Sequence, residues 1–320
     1  MLHDTTRLRR VTHEHSRLRR VTDEQSRLRR AQILLWIVPA LWSSNYIIAR
    51  AARFVVAPHV LALGRWSFAL ALMLPFVGRE LVRTWPQWRG EWPHMLALGA
   101  LGMWVCGAFV YLGGQTTSAT NIGLIYAATP VGIALVSRWV LHEHSTALQR
   151  AGMAVALAGM VYVIAKGSVA NLMAVHFVAG DLWIVAAAIS WVAYTVLQQR
   201  WRSVLDARQR LACITAGGVL VLLPFTLIEA AVVPAPPLGA HALLLIALAG
   251  LLPGFLSYQA YAVLLRELGA TRAGLVMYLS PIYAAGVAWW VLGEVPQGYH
   301  LVGALLILPS IFLATRGSGR

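Results

Sequence analysis

Residues 119–143 read ATNIGLIYAATPVGIALVSRWVLHE, and residues 270–294 read ATRAGLVMYLSPIYAAGVAWWVLGE. The two stretches align without a gap at an offset of 151 residues. Among the positions of the first stretch at which the same or a similar residue recurs in the second are Thr120, Gly123, Leu124, Thr129, Pro130, Trp139, Leu141 and Glu143. A chain that repeats itself in this way is built from two copies of one structural unit.

The composition places this unit in a lipid bilayer. Hydrophobic residues make up 59% of the 320 residues and charged residues only 12%, with a mean hydropathy of +0.67. A water-soluble chain needs a more polar surface than this. The formal charge of +14 does not indicate nucleic-acid binding, because the arginines lie in the N-terminal tail and in short breaks between apolar runs. We therefore expect the bilayer, and no nucleic acid, as a partner.

About ten apolar segments follow the tail, each close to the roughly 20 residues needed to cross the hydrocarbon core. They cover residues 32–51, 58–78, 94–114, 119–140, 147–166, 181–200, 210–232, 240–264, 271–292 and 298–315. Turn-forming and charged residues separate them. The predicted fold is an all-α integral membrane protein with about ten transmembrane helices.

The positions of lysine and arginine predict how these helices are oriented. With a cytoplasmic N-terminus, 22 of the 26 basic residues lie on the cytoplasmic side, whereas Arg50, Arg53 and Lys166 lie outside and Arg65 lies within a span. Positive charge is retained on the cytoplasmic side of membrane proteins. We therefore expect a multi-pass protein of the cell inner membrane with both termini in the cytoplasm.

Five spans separate the two copies, so the second copy is predicted to cross the membrane in the opposite direction to the first. The predicted organisation is a five-helix repeat at 32–166 and an inverted five-helix repeat at 167–315. They are flanked by a basic tail at 1–31, expected to be solvated and disordered, and by a cytoplasmic C-terminus at 316–320. Inverted repeats of this kind allow alternating access to a central site.

Several of these elements together resemble the EamA-domain transporters of the drug/metabolite transporter superfamily. The likeness rests on Leu41–Tyr46 (LWSSNY), on Gly64–Trp66 (GRW), on the sixth span from Gly180 to Tyr194, and on the doubled Pro-to-Glu element. The resemblance implies ten helices in two repeats around a central cavity, and export of small organic metabolites such as amino acids. One departure is visible, because His142 stands where the second copy has Gly293.

Polar and aromatic side chains within the spans are the candidates for lining that cavity, since such groups avoid lipid. In the first span they recur at helical spacing on one face, and the sixth span repeats the pattern. The candidate cavity residues are Trp42, Asn45, Tyr46, Arg65, Trp104, Tyr111, Trp191, Tyr194, Tyr258 and Tyr261. The alternative is that they join helices by packing and hydrogen bonding.

The prolines, an isolated arginine and two helix-end glutamates have distinct candidate roles. Pro130 and Pro281 fall in mid-span, where proline removes a backbone donor and kinks a helix, so they are candidate gating positions. Arg65 is an isolated charge that either extends toward the outer interface or holds a substrate carboxylate. Glu143 and Glu294 close their helices and are expected to act as caps or ion-pair partners.

The remaining sequence signals limit the chemistry. The chain has two cysteines, no cluster of metal ligands, no phosphate-binding loop and no carboxylate in the middle of a span. We therefore predict a transporter rather than an enzyme, with a small-molecule substrate, no cofactor and no metal, working by facilitated diffusion or exchange. An intramembrane enzyme acting on lipid, an efflux protein for drugs or nucleobases, and a sensor using the basic tail are the alternatives. Substrate identity, direction, ion coupling and oligomeric state stay open.

Overall fold

The computed structural model describes residues 2–234, 237–292 and 295–316; within these ranges the side chains of residues 2–24 and of a few other positions, Tyr46 among them, are not described. All regular structure in the described residues is helical. We number ten helical segments: α1 Leu2–Ala52, α2 Pro58–Arg83, α3 Trp85–Gly113, α4 Ala119–Ala127 with Thr129–Val140, α5 Ala147–Ile164, α6 Ala179–Arg200, α7 Ala207–Val232, α8 Ala240–Leu268, α9 Ala270–Gly274 with Leu275–Leu279 and Ser280–Leu292, and α10 Gly298–Arg316.

These helices form a multi-pass membrane protein. Eight of the described helices are long and apolar enough to cross a bilayer, and α10 adds a shorter apolar stretch, Gly298–Ala314. Apolar side chains also cover the outside of the bundle: Leu301 and Leu305, one turn apart on α10, are each 66% exposed. Lipid can cover such a surface, whereas water cannot do so without a large cost. The predicted all-α membrane fold is confirmed.

Two segments differ from the sequence-based expectation. Helix α1 begins at Leu2, where a disordered tail was expected at 1–31; that stretch has no glycine or proline to interrupt a helix. Helix α3 begins at Trp85, with only Thr84 between it and α2, although the predicted span started at residue 94. Pro86 and Pro93 each occupy the first turn of a helical piece, where the missing N–H does no harm. The division of the chain into domains stays a prediction.

The two repeats, α1–α5 and α6–α10, exchange equivalent contacts. Helix α1 packs on α8 and α9, and its counterpart α6 packs on α3 and α4; helix α2 packs on α7 and α8, and its counterpart α7 packs on α2 and α3. The outer pair α5 and α10 pack on each other. Glu143, three residues after the end of α4, meets the start of α9 at Ala270, so the two copies of the repeated stretch run in opposite directions.

Close backbone contact joins α3 and α7. A Cβ atom on Gly99 would lie 2.2 Å from the backbone nitrogen of Gly218, a separation that no side chain tolerates. Glycines at such crossings allow two membrane helices to approach closely, which strengthens their van der Waals contact. This contact holds the third helix of one repeat against the second helix of the other.

Both repeats interrupt their helices at matching positions. A π-helical turn occupies Ala100–Val105 in α3 and Gly250–Leu256 in α8, which correspond through the 151-residue offset. Helix α4 breaks at Ala128, just before Thr129 and Pro130, and α9 tightens into a 3-10 turn that ends just before Ser280 and Pro281. Proline disfavours helical geometry at the preceding residue and removes one backbone hydrogen bond. The duplicated sequence thus produces duplicated irregularities.

Candidate substrate site

Six aromatic rings from four helices meet where the two repeats interlock. We call this the aromatic cluster; it comprises Trp42 of α1, Trp66 of α2, Trp191 and Tyr194 of α6, and Tyr258 and Tyr261 of α8. The rings of Trp42 and Trp191 are edge-on at 5.3 Å, and those of Trp66 and Tyr258 are edge-on at 4.7 Å. These are favourable geometries for aromatic pairs. Trp42 belongs to the first helix of one repeat and Trp191 to the first helix of the other, so the cluster lies between the two repeats.

One side of this cluster is less enclosed than the rest. Trp66, Trp191, Tyr194, Tyr258 and Tyr261 are buried. By contrast, Trp42 and Asn45 are only half-buried. They lie one turn apart on α1 and therefore share a face of that helix. This face of α1 is therefore the least enclosed part of the site.

Arg65 lies beside the cluster and is held inside the protein. Its side chain is 5% exposed, and its guanidinium carbon is 4.6 Å from the centre of the Trp66 ring. Nη1 donates to the Tyr111 hydroxyl at 3.1 Å and to Asn45 Oδ1 at 3.3 Å, while Nη2 donates to the carbonyl of Pro253 at 2.9 Å. Tyr111 in turn donates to Asn45 Oδ1 at 2.8 Å. The guanidinium thus lies in a network of neutral groups.

The π-helical turns provide acceptors for this region. A π turn frees carbonyl groups from the regular ladder, and neighbouring side chains bond to them. Pro253 in the α8 turn accepts from Arg65. In the matching α3 turn, the carbonyl of Leu101 accepts from Ser190 Oγ at 2.8 Å and that of Gly102 accepts from the Tyr258 hydroxyl at 3.3 Å. Neither turn was predicted from the sequence.

Two predicted residues are not placed in the cluster. Among the described side chains, the ring contacts of Trp104 are with Phe225 of α7, stacked at 3.9 Å, and with Phe109 at 5.7 Å. Trp104 lies within the wide turn of α3, which changes its angle around the helix relative to Tyr111. The side chain of Tyr46 lies outside the described part of the structure. Arg65, Asn45 and Tyr111, by contrast, come together.

A buried carboxylate and histidine pair was missed at the sequence level. Glu229 near the end of α7 accepts from the backbone N–H of His59 at 2.8 Å and lies 2.9 Å from His59 Nδ1. The two side chains are 8% and 12% exposed. Glu229 is the only acidic residue between Arg210 and Val232, and that isolation was the available signal. The pair joins the start of α2 to α7 and lies on the side of α7 that also carries Phe225.

Glu143 caps the beginning of α9. Its Oε1 accepts from the N–H of Ala270 at 3.2 Å, and its Oε2 accepts from the N–H of Thr271 at 3.2 Å and from the Thr271 hydroxyl at 2.7 Å. Gly269 turns the chain into α9 with φ of 80°, a conformation that glycine adopts without strain. A carboxylate at a helix N-terminus is also stabilised by the helix dipole. This cap ties the first repeat to the second.

His142 is the residue at which the first copy departs from the family pattern. It adopts a left-handed conformation with φ of 59°, which a side chain disfavours and a glycine does not. Gly293 occupies the same position in the second copy. The first copy thus adopts at His142 a backbone conformation that favours glycine, whereas Gly293 itself lies outside the described residues.

A surface cleft of about 260 Å³ lies elsewhere, between α2, α7 and α8. It is lined by Met73, Phe76, Val77, Arg208, Phe255 and Gln259, none of which is a candidate cavity residue. Phe76 is 77% exposed, so this cleft opens on the outer surface of the bundle rather than at the aromatic cluster.

A bundle of apolar helices in two interlocked, oppositely directed repeats defines a multi-pass membrane transporter. The chain belongs to the EamA-like transporter family, which it matches twice, over residues 29–165 and 178–316. The two matched stretches correspond to the two repeats, in agreement with the resemblance seen in the sequence.

Relatives along most of the chain are also named as transporters. An uncharacterized transporter of Archaeoglobus fulgidus is 25% identical over 286 residues, which cover 88% of this chain and 96% of the relative. A probable terminal-alkyne amino-acid exporter of Streptantibioticus cattleyicolor is 27% identical, covering 86% and 90%. An S-adenosylmethionine/S-adenosylhomocysteine transporter of Chlamydia trachomatis is 25% identical, covering 87% of each. A solved crystal structure shares the fold, with a TM-score of 0.73 at 18% identity over 89% of this chain and 96% of that one.

Proposed function

We propose that this protein exports small amphipathic metabolites, amino acids or related compounds, across the cell inner membrane, with both termini in the cytoplasm. The observation that carries the proposal is the aromatic cluster at the interface of the inverted repeats, next to the buried cation of Arg65. Transporters with inverted repeats bind substrate at that interface. The aromatic rings can pack against the apolar part of such a substrate, and Arg65 can hydrogen-bond to its polar group.

The names of two relatives support this class of substrate. One is a probable amino-acid exporter, and the other is a transporter of S-adenosylmethionine, a molecule that contains a methionine moiety. Both solutes combine a charged amino-acid group with a larger body. We infer a substrate of the same general chemistry here.

We further propose that transport proceeds by alternating access, with the Glu143 cap as the closure on the cytoplasmic side. Glu143 joins the end of α4 to the start of α9. The repeat places Glu294 and Thr120 in the equivalent positions, so the opposite state closes the outer side through a cap by Glu294 on α4. The helix breaks before Pro130 and Pro281 are the hinges that permit the exchange. A solute gradient drives the cycle by facilitated diffusion or exchange.

Counterflow in proteoliposomes tests the proposal. Purified protein is reconstituted with an unlabelled solute inside, and uptake of the labelled solute is followed for hydrophobic amino acids, nucleobases, amines and drugs. We expect counterflow for at least one amino acid and none with the Trp42→Ala variant. Counterflow of nucleobases or drugs without amino acids would move the function to efflux of those compounds. A folded protein that moves none of these solutes would contradict a transport function.

A further inference from the structure

The positive charge of Arg65 is not balanced by any acidic group that the structure describes. Within the described residues no carboxylate oxygen lies within 4 Å of its guanidinium; the ion pairs present there involve Glu229, Glu80 and Glu267. An ionised group taken out of water without a counter-charge is costly. Its neutral partners, Asn45, Tyr111 and the carbonyl of Pro253, offset only part of that cost.

Hydrogen-bond donors are also in excess around this charge. Among the described residues, Arg65 Nε and the indole Nε1 atoms of Trp66 and Trp191 are buried and have no acceptor. Each of these groups can only donate. Arg65 and Trp66 touch each other, and Trp66 and Trp191 both contact Tyr258. What the region lacks is an acceptor, and in particular an anionic one.

From this arrangement we propose that Arg65, with Asn45 and Tyr111, binds the carboxylate of the substrate, while the apolar part of the substrate packs on Trp42 and Tyr258. This inference rests on the proposed transport function and specifies its substrate class as monocarboxylates with an apolar or aromatic body, zwitterionic amino acids included. Arginine suits this role because its planar fork of donors matches a carboxylate.

The bonds of Arg65 show where the carboxylate would enter. Its contact with Asn45 Oδ1 is the longest of the three, at 3.3 Å, and is therefore the contact that a carboxylate oxygen replaces most readily. Asn45 is half-buried and lies one turn from the half-buried Trp42 on α1. The charged end of the substrate thus reaches Arg65 along α1, and its body remains beside the cluster.

A pair of probes that differ only in charge tests this assignment. Binding of phenylacetate and of phenylacetamide to purified protein in detergent is measured by quenching of tryptophan fluorescence and by thermal shift. A charge-assisted hydrogen bond to arginine corresponds to about tenfold to hundredfold in affinity. We expect phenylacetate to bind at least about tenfold more tightly than phenylacetamide. Equal affinities, or no binding of phenylacetate, would overturn the proposal, as would preferential binding of phenyl phosphate.

Variants assign the preference to Arg65. Arg65→Gln is expected to lower phenylacetate affinity about tenfold to hundredfold and to leave phenylacetamide within about twofold; Arg65→Lys falls between, since it keeps the charge and loses the fork. Arg202→Gln, which removes an equal charge from the exposed connection between α6 and α7, is the matched control and should change neither. An unchanged preference in Arg65→Gln would contradict the assignment. If that variant does not fold, the relative affinity of the unmodified protein for phenylacetate and phenylacetamide still tests the proposal.

The outcome is separable from that of the transport proposal. Counterflow of neutral or cationic solutes, together with equal binding of the two probes, would support the transport proposal and contradict the carboxylate site. Preferential binding of phenylacetate without counterflow of any solute would support the carboxylate site and contradict the transport proposal.

Discussion

Replacing Glu143 with alanine should open the cytoplasmic side of the protein. The substitution removes three hydrogen bonds to the first residues of α9. Loss of an N-terminal cap costs about 0.5–2 kcal/mol, and loss of the carboxylate from the helix dipole adds about 0.3–1 kcal/mol. The sum of about 1–3 kcal/mol corresponds to a shift of about fivefold to 150-fold toward the open state.

Cysteine accessibility measures this shift. Ser137 is fully buried near the end of α4, so a Ser137→Cys reporter reacts with a membrane-impermeant maleimide only when this side opens. The reporter is placed in a background without Cys106 and Cys213. In inside-out vesicles we expect labelling to accelerate about fivefold to 150-fold in Glu143→Ala.

Two comparisons make the result interpretable. Glu143→Gln keeps an acceptor but loses the charge, so we expect an acceleration of only about twofold to fivefold. A second reporter, Thr120→Cys, lies at the start of α4 on the opposite side and should label no faster when Glu143 is replaced. An unchanged rate at Ser137 in folded Glu143→Ala would refute the role of the cap. Equal acceleration at both reporters would indicate local unfolding instead.

Three further substitutions address the site and the packing. Trp42→Ala should abolish counterflow while the protein elutes as a folded species in detergent, because Trp42 contacts three other rings of the cluster. Glu229→Gln should lower the free energy of unfolding by about 1–3 kcal/mol, since it replaces the buried carboxylate that bonds to His59 with a weaker, neutral acceptor. Gly99→Ala should sharply reduce the yield of folded protein, whereas Gly90→Ala, with no atom within 4 Å of the added Cβ, should be neutral.

Matched controls exist for the first two of these. Trp289 is 58% exposed, and Trp289→Ala should leave counterflow intact. Glu80→Gln breaks an exposed pair with Arg83 and should change stability by less than about 1 kcal/mol. Transport by folded Trp42→Ala, or equal destabilisation by Glu229→Gln and Glu80→Gln in thermal unfolding, would contradict the structural reasoning.

The fold was accessible from the sequence because hydropathy and the repeat both act over long stretches. About ten apolar runs and a 151-residue offset were enough to predict two inverted repeats. Trp42 and Trp191 could also be placed on corresponding helices in advance, because α1 and α6 are the first helices of the two repeats. The structure brings their rings to within 5.3 Å of each other.

Other features depended on contacts that a single sequence does not contain. The prediction that Trp104 and Tyr111 share a face assumed a regular α-helix. The π-helical turn at Ala100–Val105 changes the angle between these two side chains around the helix axis. The pairing of His59 with Glu229 joins residues 170 positions apart. Likewise, α3 begins at Trp85 because proline is favourable in the first turn of a helix. The sequence-based prediction had instead placed the prolines before residue 94 in a connection between two spans.

In the proposed cycle the two repeats close the substrate path alternately, each on one side of the membrane. Two cysteine pairs, Glu143→Cys with Thr271→Cys and Glu294→Cys with Thr120→Cys, can each be joined by a short reducible crosslinker in proteoliposomes, and counterflow measured before and after reduction. We expect either crosslink alone to stop counterflow and reduction to restore it. Undiminished counterflow with either pair fully crosslinked would contradict alternating access between the inverted repeats.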